Sequence, residues 1–135
     1  FPPGLVPDPA PVMAHLEATI DPARHKPLFA GLEIQGGLHP DEPHWYLPFI
    51  GVRPEAQGSG MGAHLLELGL DRADADGMPA YLEATSRRSV PLYSRHGFKV
   101  IGVVNAPEYP EIFAMWRGAR DVRLRPKADI AVATC

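Results

Sequence analysis

The chain has 135 residues, of which 45% are apolar and 21% charged, with a net charge of −3. These values are typical of a single globular domain with a real core. The lack of a basic excess argues against nucleic-acid binding, and no apolar run reaches the roughly 18 residues of a membrane span. The single cysteine, Cys135, cannot form an internal disulfide, so the composition predicts a reducing compartment, the cytoplasm.

The first 43 residues predict a proline-rich lead-in and two helices. Residues 1–11 contain five prolines, which favour extended coil. Apolar residues at helical spacing predict a helix over 12–20, and Asp21 is a typical N-cap for a second helix over 22–35. The expected buried side of the second helix consists of Leu28, Leu32 and Ile34.

Strands and helices alternate from residue 44 onwards. Residues 44–52 predict a strand, but Pro48 cannot donate to a ladder, so this strand should splay from its neighbour. A helix follows over 60–76, and its expected buried side consists of Met61, Leu65, Leu66, Leu70 and Ala73. The later predicted elements are a strand over 79–84, a helix from about Ser89 to Gly97, and strands over 98–104 and 111–117. This order predicts an α/β fold whose first two strands are parallel.

A glycine-rich loop between the first strand and its helix is the main functional signal. Gly58, Gly60 and Gly62 alternate along the chain, so backbone amides near the helix N-terminus can converge on an anion. A Walker loop needs Lys-Ser/Thr after its last glycine, where this chain has Ala63-His64. The dinucleotide fingerprint G-x-G-x-x-A is formally present, but five residues separate it from the strand and too few βαβ units follow. A tight turn without a ligand is the other alternative.

The same loop resembles the acetyl-CoA signature of the GNAT superfamily of N-acetyltransferases, R/Q-x-x-G-x-G/A. Gln57, Gly60 and Gly62 stand at its defining positions, and residues 93–98 (Tyr-Ser-Arg-His-Gly-Phe) are similar to the family's Y-x-x-x-G-F. The two motifs occur in the family's order and at about its separation, and the resemblance covers residues 44–117. It implies a GNAT-like mixed sheet with splayed central parallel strands and flanking helices.

The resemblance implies an acetyl-CoA-dependent N-acetyltransferase that moves the acetyl group to a primary amine by direct attack in a ternary complex. Acetyl-CoA is the implied acyl-donor co-substrate, and Tyr93 is the implied acid that protonates the departing CoA thiolate. A tyrosine that only fills the core is the alternative role for Tyr93. Ser86 and Ser89 stand where many family members have an asparagine that contacts the cofactor. The residues implied to contact the cofactor are Ile50, Val52, Gln57, Gly58, Ser59, Gly60, Met61, Gly62 and Ser89.

The sequence does not single out a general base. His44 and Glu83 are candidates on or beside the central strands, although a structural polar role is the more frequent outcome for such residues. The arginines that could meet the adenosine 3′-phosphate are Arg87, Arg88 and Arg95. The six histidines do not cluster, with His39 and His44 as the nearest pair, so no metal site is predicted.

The resemblance divides the chain into a lead-in with two helices (1–43), an acetyl-CoA-binding core (44–117) and a tail (118–135). The family fold has three strands before the strand at residue 44, and these are apparently absent here. We therefore expect a second copy of the chain, or a missing N-terminal segment, to cover the exposed sheet edge. The expected partner is a small-molecule or peptide amine, with no nucleic acid or membrane. The alternative function is a non-catalytic CoA-binding or interaction module.

Overall fold

The computed structural model describes residues 1–5 and 8–120, and the elements below are those of this part of the chain. The helices are α1 (Ala10–Thr19), α2 (His25–Gly37), α3 (Met61–Ala75) and α4 (Val90–Arg95). The strands are β1 (Trp45–Leu47), β2 (Ala80–Ala84), β3 (Lys99–Val104) and β4 (Ile112–Arg117). The predicted α/β alternation is confirmed, while the tail beyond Arg120 lies outside the described residues. None of the helices in these ranges is long and apolar enough to cross a membrane.

The four strands form one mixed sheet in the order β1-β2-β4-β3. The β1–β2 pair is parallel, as predicted, because helix α3 connects the two strands as a crossover. The β2–β4 and β3–β4 pairs are antiparallel. The sheet therefore has β2 and β4 in its centre and β1 and β3 at its edges.

The main core lies between the sheet and helices α3 and α4. Alternation along β2 places Ala80, Leu82 and Ala84 towards these helices, and Tyr81 and Glu83 on the opposite face. The other buried members of this core are Leu66, Leu70, Ala73, Tyr93, Phe98, Phe113 and Met115. Full burial of one such leucine contributes about 1.5–3 kcal/mol.

The opposite side of the sheet is covered by α2 and the segment after it. Gly31 of α2 lies against the Tyr109 ring, where a Cβ would overlap the ring atoms. The Tyr109 hydroxyl donates to Gln35 Oε1 at 2.6 Å. On β3, Gly102 faces Leu38 at the end of α2 in the same way. Gly31 thus lets α2 approach the loop between β3 and β4 closely, and Gly102 lets the end of α2 approach β3.

The predicted strand over 44–52 is wrong in length, because β1 contains only three residues. Its pairing ends at Leu47 opposite Leu82, and β2 continues for two residues without a β1 partner. Pro48 has no N–H to extend the ladder, and Phe49 is 90% exposed. The predicted splay of the two parallel strands is thereby confirmed.

The predicted buried sides of the two long helices are partly wrong. In α3, Met61 and Leu65 are 45% and 40% exposed, and in α2 Ile34 is 47% exposed. The buried leucines and alanine of α3 stand at positions 66, 70 and 73, a narrow stripe that faces a single sheet. Residues 61 and 65 flank this stripe, and Leu65 lines a cavity beside β1 but is not among the buried core residues. Leu28 and Leu32 are half-buried.

A buried ion pair joins the end of α3 to the end of β4. Arg117 Nη1 and Nη2 donate to Asp74 Oδ1 and Oδ2 at 2.7 and 2.8 Å, and both side chains are 3% exposed. Removing one partner of such a pair strands a buried charge, which typically costs about 3–5 kcal/mol. The pair therefore holds α3 in one position against the sheet.

One residue of the lead-in lies beside the outer edge of β1. The Phe1 amino group donates to Tyr46 O at 2.6 Å, and Tyr46 N–H donates to Phe1 O at 2.9 Å. Phe1 thus pairs with β1 as a neighbouring strand would. The predicted second copy or preceding segment on this edge stays a prediction.

Candidate functional site

The glycine-rich loop has a backbone that two of its glycines make possible. A 3₁₀ turn over Pro54–Ala56 leads into it, and Gly58 and Gly60 have φ values of +79° and +85°. Residues with a Cβ are strained in this left-handed region. Gly62 is different, because a Cβ there would make an ordinary contact of 3.7 Å with Val52 Cγ2. The first two glycines shape the loop, and the third lies inside α3.

The loop presents backbone donors at the start of a 15-residue helix. Among the described hydrogen bonds, none uses the amide N–H groups of Ser59, Gly60, Met61 or Gly62. The first N–H groups of a helix have no intrahelical partner, and the helix dipole adds positive potential there. The Ser59 hydroxyl donates to Ala56 O at 2.6 Å, so it stabilises the loop itself. The loop is exposed and suited to bind an anion.

Two predicted cofactor contacts, Ile50 and Val52, lie between β1 and the loop. They differ in whether their backbone groups already make hydrogen bonds within the chain. The backbone N–H and C=O groups of Ile50 make no hydrogen bond within the described residues, while its side chain packs against the core. The Val52 carbonyl accepts from Gln57 Nε2 at 3.1 Å. Ile50 is therefore ready for an extended ligand, whereas Val52 is engaged by Gln57.

Tyr93 combines a buried ring with an accessible hydroxyl. The residue is 7% exposed, and its ring meets Phe98 edge-on with centroids 6.2 Å apart. Within the described residues its hydroxyl has no hydrogen-bond partner and is not among the fully buried polar atoms. Burial raises the pKa of Tyr93, so the phenol keeps its proton at neutral pH. Such a hydroxyl is free to donate a proton.

The structure brings the two sequence motifs together. Leu92, next to Tyr93 in α4, has its Cδ2 atom 3.9 Å from the place where a Gly62 Cβ would lie. The start of α4 is internally satisfied, because Ser89 Oγ donates to Ser86 O at 2.8 Å and lies 3.2 Å from Ser86 Oγ. The glycine-rich loop and the Tyr93 helix are thus neighbours, and Ser89 is hydrogen-bonded within its own turn.

The candidate base Glu83 accepts hydrogen bonds from two tyrosine hydroxyls on the face of the sheet opposite α3 and α4. Tyr46 and Tyr81 donate to its two carboxylate oxygens at 2.7 and 3.1 Å. Burial and the neighbouring carboxylate raise the pKa of both tyrosines well above 10. Glu83 is the first β2 residue beyond the β1 pairing, so it lies where the parallel strands splay.

The candidate base His44 lies beside this group and is bonded to a second histidine. His44 Nδ1 is 2.6 Å from Glu42 O, and its Nε2 is 3.1 Å from His39 Nε2. The His39 ring stands edge-on to Tyr81 and Tyr46, with centroids 4.6 and 5.0 Å away. His39, His44 and Tyr46 line a cavity of about 730 Å³ between the lead-in and the segment after α2. Sequence reasoning missed His39, whose only signal was its five-residue spacing from His44.

The three arginines predicted to bind the adenosine 3′-phosphate differ in their contacts within the chain. Arg87 Nη2 donates to Glu111 Oε1 at 2.6 Å, and its guanidinium lies 5.3 Å from the centre of the Phe113 ring. Arg88 and Arg95 are exposed. Arg87 thus already has a carboxylate partner at one nitrogen, while the rest of its guanidinium remains exposed.

Comparisons with known proteins agree with this geometry. A sequence model of the acetyltransferase (GNAT) family matches residues 15–98, more than half of the chain. The chain belongs to the acetyltransferase (GNAT) family. The all-parallel dinucleotide fold is accordingly not the one adopted here, because the sheet of this GNAT chain is mixed.

Individual relatives cover only part of this GNAT chain. A mycothiol acetyltransferase of Streptomyces scabiei is 36% identical over 89 residues, which are 61% of this chain and 29% of that protein. An uncharacterized N-acetyltransferase of Schizosaccharomyces pombe is 36% identical over 58 residues, 43% of this chain and 24% of that protein. A crystal structure described as histone acetyltransferase HPA2 and related acetyltransferase from Corynebacterium glutamicum is 37% identical, with a TM-score of 0.55. The match covers 66% of this chain and 46% of that chain, so the chain spans less than half the length of each of these relatives.

Proposed function

We propose that this chain binds acetyl-CoA and transfers its acetyl group to a primary amine by direct attack in a ternary complex. The observation that carries the proposal is the adjacency of the anion-ready loop and the Tyr93 helix, linked by the Leu92–Gly62 approach. The acetyltransferase names of the relatives support the same chemistry. A small-molecule or peptide amine is the proposed acceptor.

Each implied cofactor contact has a physical role in this proposal. The amides from Gly58 to Gly62 bind the pyrophosphate, since they make no hydrogen bond among the described residues and lie at a helix N-terminus, whereas Gln57 N–H donates to Pro54 O at 3.2 Å. The free backbone groups of Ile50 pair with a pantetheine amide as a neighbouring strand would. Val52 can join this pairing through its N–H, which makes no hydrogen bond among the described residues, while its carbonyl accepts from Gln57. Ser89 contributes through the turn that it stabilises.

The chemical step follows from the same arrangement. The amine lone pair attacks the thioester carbonyl carbon, and the C–S bond breaks as the new C–N bond forms. The Tyr93 hydroxyl gives its proton to the departing sulfur, and the proton that the new amide nitrogen loses restores the Tyr93 phenol. The raised pKa of Tyr93 keeps this proton available at neutral pH.

A thermal-shift titration with acetyl-CoA, with NAD as the control ligand, tests the cofactor site. Selective binding to the folded state should stabilise it by about 2.7 kcal/mol at a hundredfold excess over the dissociation constant. A shift with acetyl-CoA alone supports the proposal. A shift with NAD alone, or with neither ligand, contradicts it.

A non-catalytic CoA-binding or interaction module is the second candidate, since it would need only the glycine-rich loop and the free backbone groups of Ile50. Release of free CoA thiol from acetyl-CoA separates the two functions. The amines to be tested are a primary alkylamine, a diamine, an arylalkylamine and an amino sugar. A binding module would show the thermal shift without thiol release on any of them.

The cytoplasm and the division into 1–43, 44–117 and 118–135 stay proposals. The region that matches the family begins at residue 15, inside the segment predicted as lead-in. Separate expression of residues 44–120 would test the division. A cooperative unfolding transition for that fragment would support it, and its absence would place α2 within the core.

A further inference from the structure

The hydrogen bonds of the two histidines determine which ring nitrogens carry protons. Glu42 O can only accept, so His44 Nδ1 must carry the hydrogen of the 2.6 Å bond. A neutral His44 then has its lone pair on Nε2, which faces His39 Nε2 at 3.1 Å. His39 must therefore donate from Nε2 and hold its own lone pair on Nδ1.

The lone pair on His39 is the only free one of the pair. Within the described residues, no hydrogen bond uses His39 Nδ1, and this atom is not among the fully buried polar atoms. The ring lines the cavity of about 730 Å³. Neutral His44 has both nitrogens engaged, so it cannot take a proton without breaking a bond. This excludes His44, as placed here, from the role of first proton acceptor.

Glu83 is also a poor first acceptor in this arrangement. Its two carboxylate oxygens each accept a tyrosine hydroxyl, from Tyr46 and Tyr81. With both oxygens already accepting hydroxyl hydrogens, the carboxylate has fewer lone pairs free for an incoming ammonium. Its negative charge instead favours a positive charge on His39.

Resting on the proposed acetyl transfer, we propose that His39 is the general base and that His44 is its positioning residue. His39 Nδ1 takes one proton from the acceptor ammonium, directly or through one water, and frees the amine lone pair that attacks the thioester. The His39 Nε2–H stays bonded to His44 Nε2 during this transfer, so His44 fixes the orientation of the ring. The proton leaves to solvent through the cavity after transfer.

The surroundings keep His39 neutral before the reaction. Burial and His44 lower the pKa of His39, while Glu83 and Asp41 raise it to a smaller extent. The titratable groups that face the His39 ring are Asp41, His44, Tyr46, Tyr81 and Glu83. The lowered pKa leaves His39 unprotonated, and thus competent as a base, at neutral pH.

Two-dimensional ¹H–¹⁵N spectra of the imidazoles test the pair without any substrate. The proposal expects His44 as the Nδ1–H tautomer and His39 as the Nε2–H tautomer at neutral pH. An Nδ1–H tautomer for His39 would overturn it, because the lone pair would then face His44 and not the cavity. This measurement stands whether or not the chain transfers acetyl groups.

Kinetics then test the catalytic role of His39. The acceptor is the amine, among the four named above, that gives the fastest release of CoA thiol. His39→Gln keeps a donor for His44 but cannot take a proton, so kcat should fall by about 10²-fold or more. The acid limb of its kcat/KM profile should vanish. His44→Gln should shift that limb to higher pH, because His44 lowers the pKa of His39. The exposed His15→Gln is the matched control and should change neither quantity.

The outcomes separate this inference from the proposed function. If acetyl-CoA binds and thiol is released but His39→Gln keeps the wild-type kcat and pH profile, the base assignment is wrong while acetyl transfer stands. If no amine is acetylated, the proposed function fails and the base role fails with it. Thermal denaturation shows whether His39→Gln is folded, and a folded but inactive variant supports the assignment.

Discussion

At the scale of single residues, Tyr93 shows how a side chain of the core can keep its hydroxyl free for chemistry. Its ring packs against Phe98, while its hydroxyl has no partner among the described residues. A tyrosine that only fills the core would be as well replaced by phenylalanine. The accessible hydroxyl is the feature that favours a chemical role.

Tyr93→Phe should lower acetyl transfer by about 10²-fold or more, because the departing thiolate loses its proton donor. The unfolding free energy should change by less than about 1 kcal/mol, since no hydrogen bond is removed. The matched control is Tyr109→Phe, which loses the bond to Gln35 but lies outside the proposed site. Single-turnover kinetics and urea unfolding measure the two quantities. Undiminished transfer by Tyr93→Phe would show that the acid role is wrong.

The sequence identified Tyr93 but not His39, and the difference has a physical cause. Tyr93 stands in a local motif whose helix and following glycine are encoded within six residues. The role of His39 depends on a turn that brings His44 within 3.1 Å and on two tyrosines from different strands. No pattern within one segment carries that information.

At the scale of elements, the glycine loop and α3 form one unit. Its glycines differ in whether the backbone conformation requires a residue without a Cβ. Gly60 has φ +85° and ends the loop as the N-cap of α3. Gly69 lies in the middle of the same helix, where a Cβ would meet no atom within 4 Å. The backbone therefore requires one of these glycines and not the other.

Gly60→Ala should destabilise the fold by about 1–2 kcal/mol, because an L-residue is strained in the left-handed region. It should also weaken acetyl-CoA binding, since the loop amides would change direction. Gly69→Ala should stabilise α3 by about 0.5–1 kcal/mol and leave binding unchanged. Urea unfolding and acetyl-CoA titration of both variants measure these effects. Equal stability and affinity in the two variants would show that the loop geometry is not needed.

The boundaries of the elements show where a local sequence pattern is enough to predict the end of a helix or strand. Asp21 does accept from Ala23 N–H as an N-cap, but it caps a 3₁₀ turn that precedes α2. The end of α3 follows the expected glycine stop, with Gly77 at φ +63°. The wrong length of β1 has another origin, because a strand needs a partner and apolar residues alone do not supply one.

At the scale of the whole molecule, buried titratable groups on the α2 side of the sheet couple stability to pH. Burial and His44 lower the pKa of His39 from its ordinary value of 6.5. Burial and Glu83 raise the pKa of Tyr46 and Tyr81 from their ordinary value of 10. The folded chain thus binds fewer protons than the unfolded chain below pH 6.5 and more above pH 10.

The unfolding free energy should therefore fall as pH drops below about 6.5 and as it rises above about 10. Urea unfolding between pH 5.5 and 7.5 measures the acid side before most carboxylates titrate. His39→Gln should reduce the slope of the unfolding free energy against pH in this range, and His15→Gln should not. An acid slope that persists in His39→Gln would mean that another group is responsible.

The sequence by itself determined the order of the elements, the splay at Pro48, the glycine loop and the acetyltransferase (GNAT) family, because each is encoded in contiguous residues. Only the tertiary structure decided which side chains are buried, as the exposed Met61 and Leu65 show. It also decided the meeting of His39, His44 and the Tyr46–Glu83 pair. Burial and proton sharing depend on which surfaces face each other across the sheet. That arrangement is a property of packing between distant segments, and local spacing does not contain it.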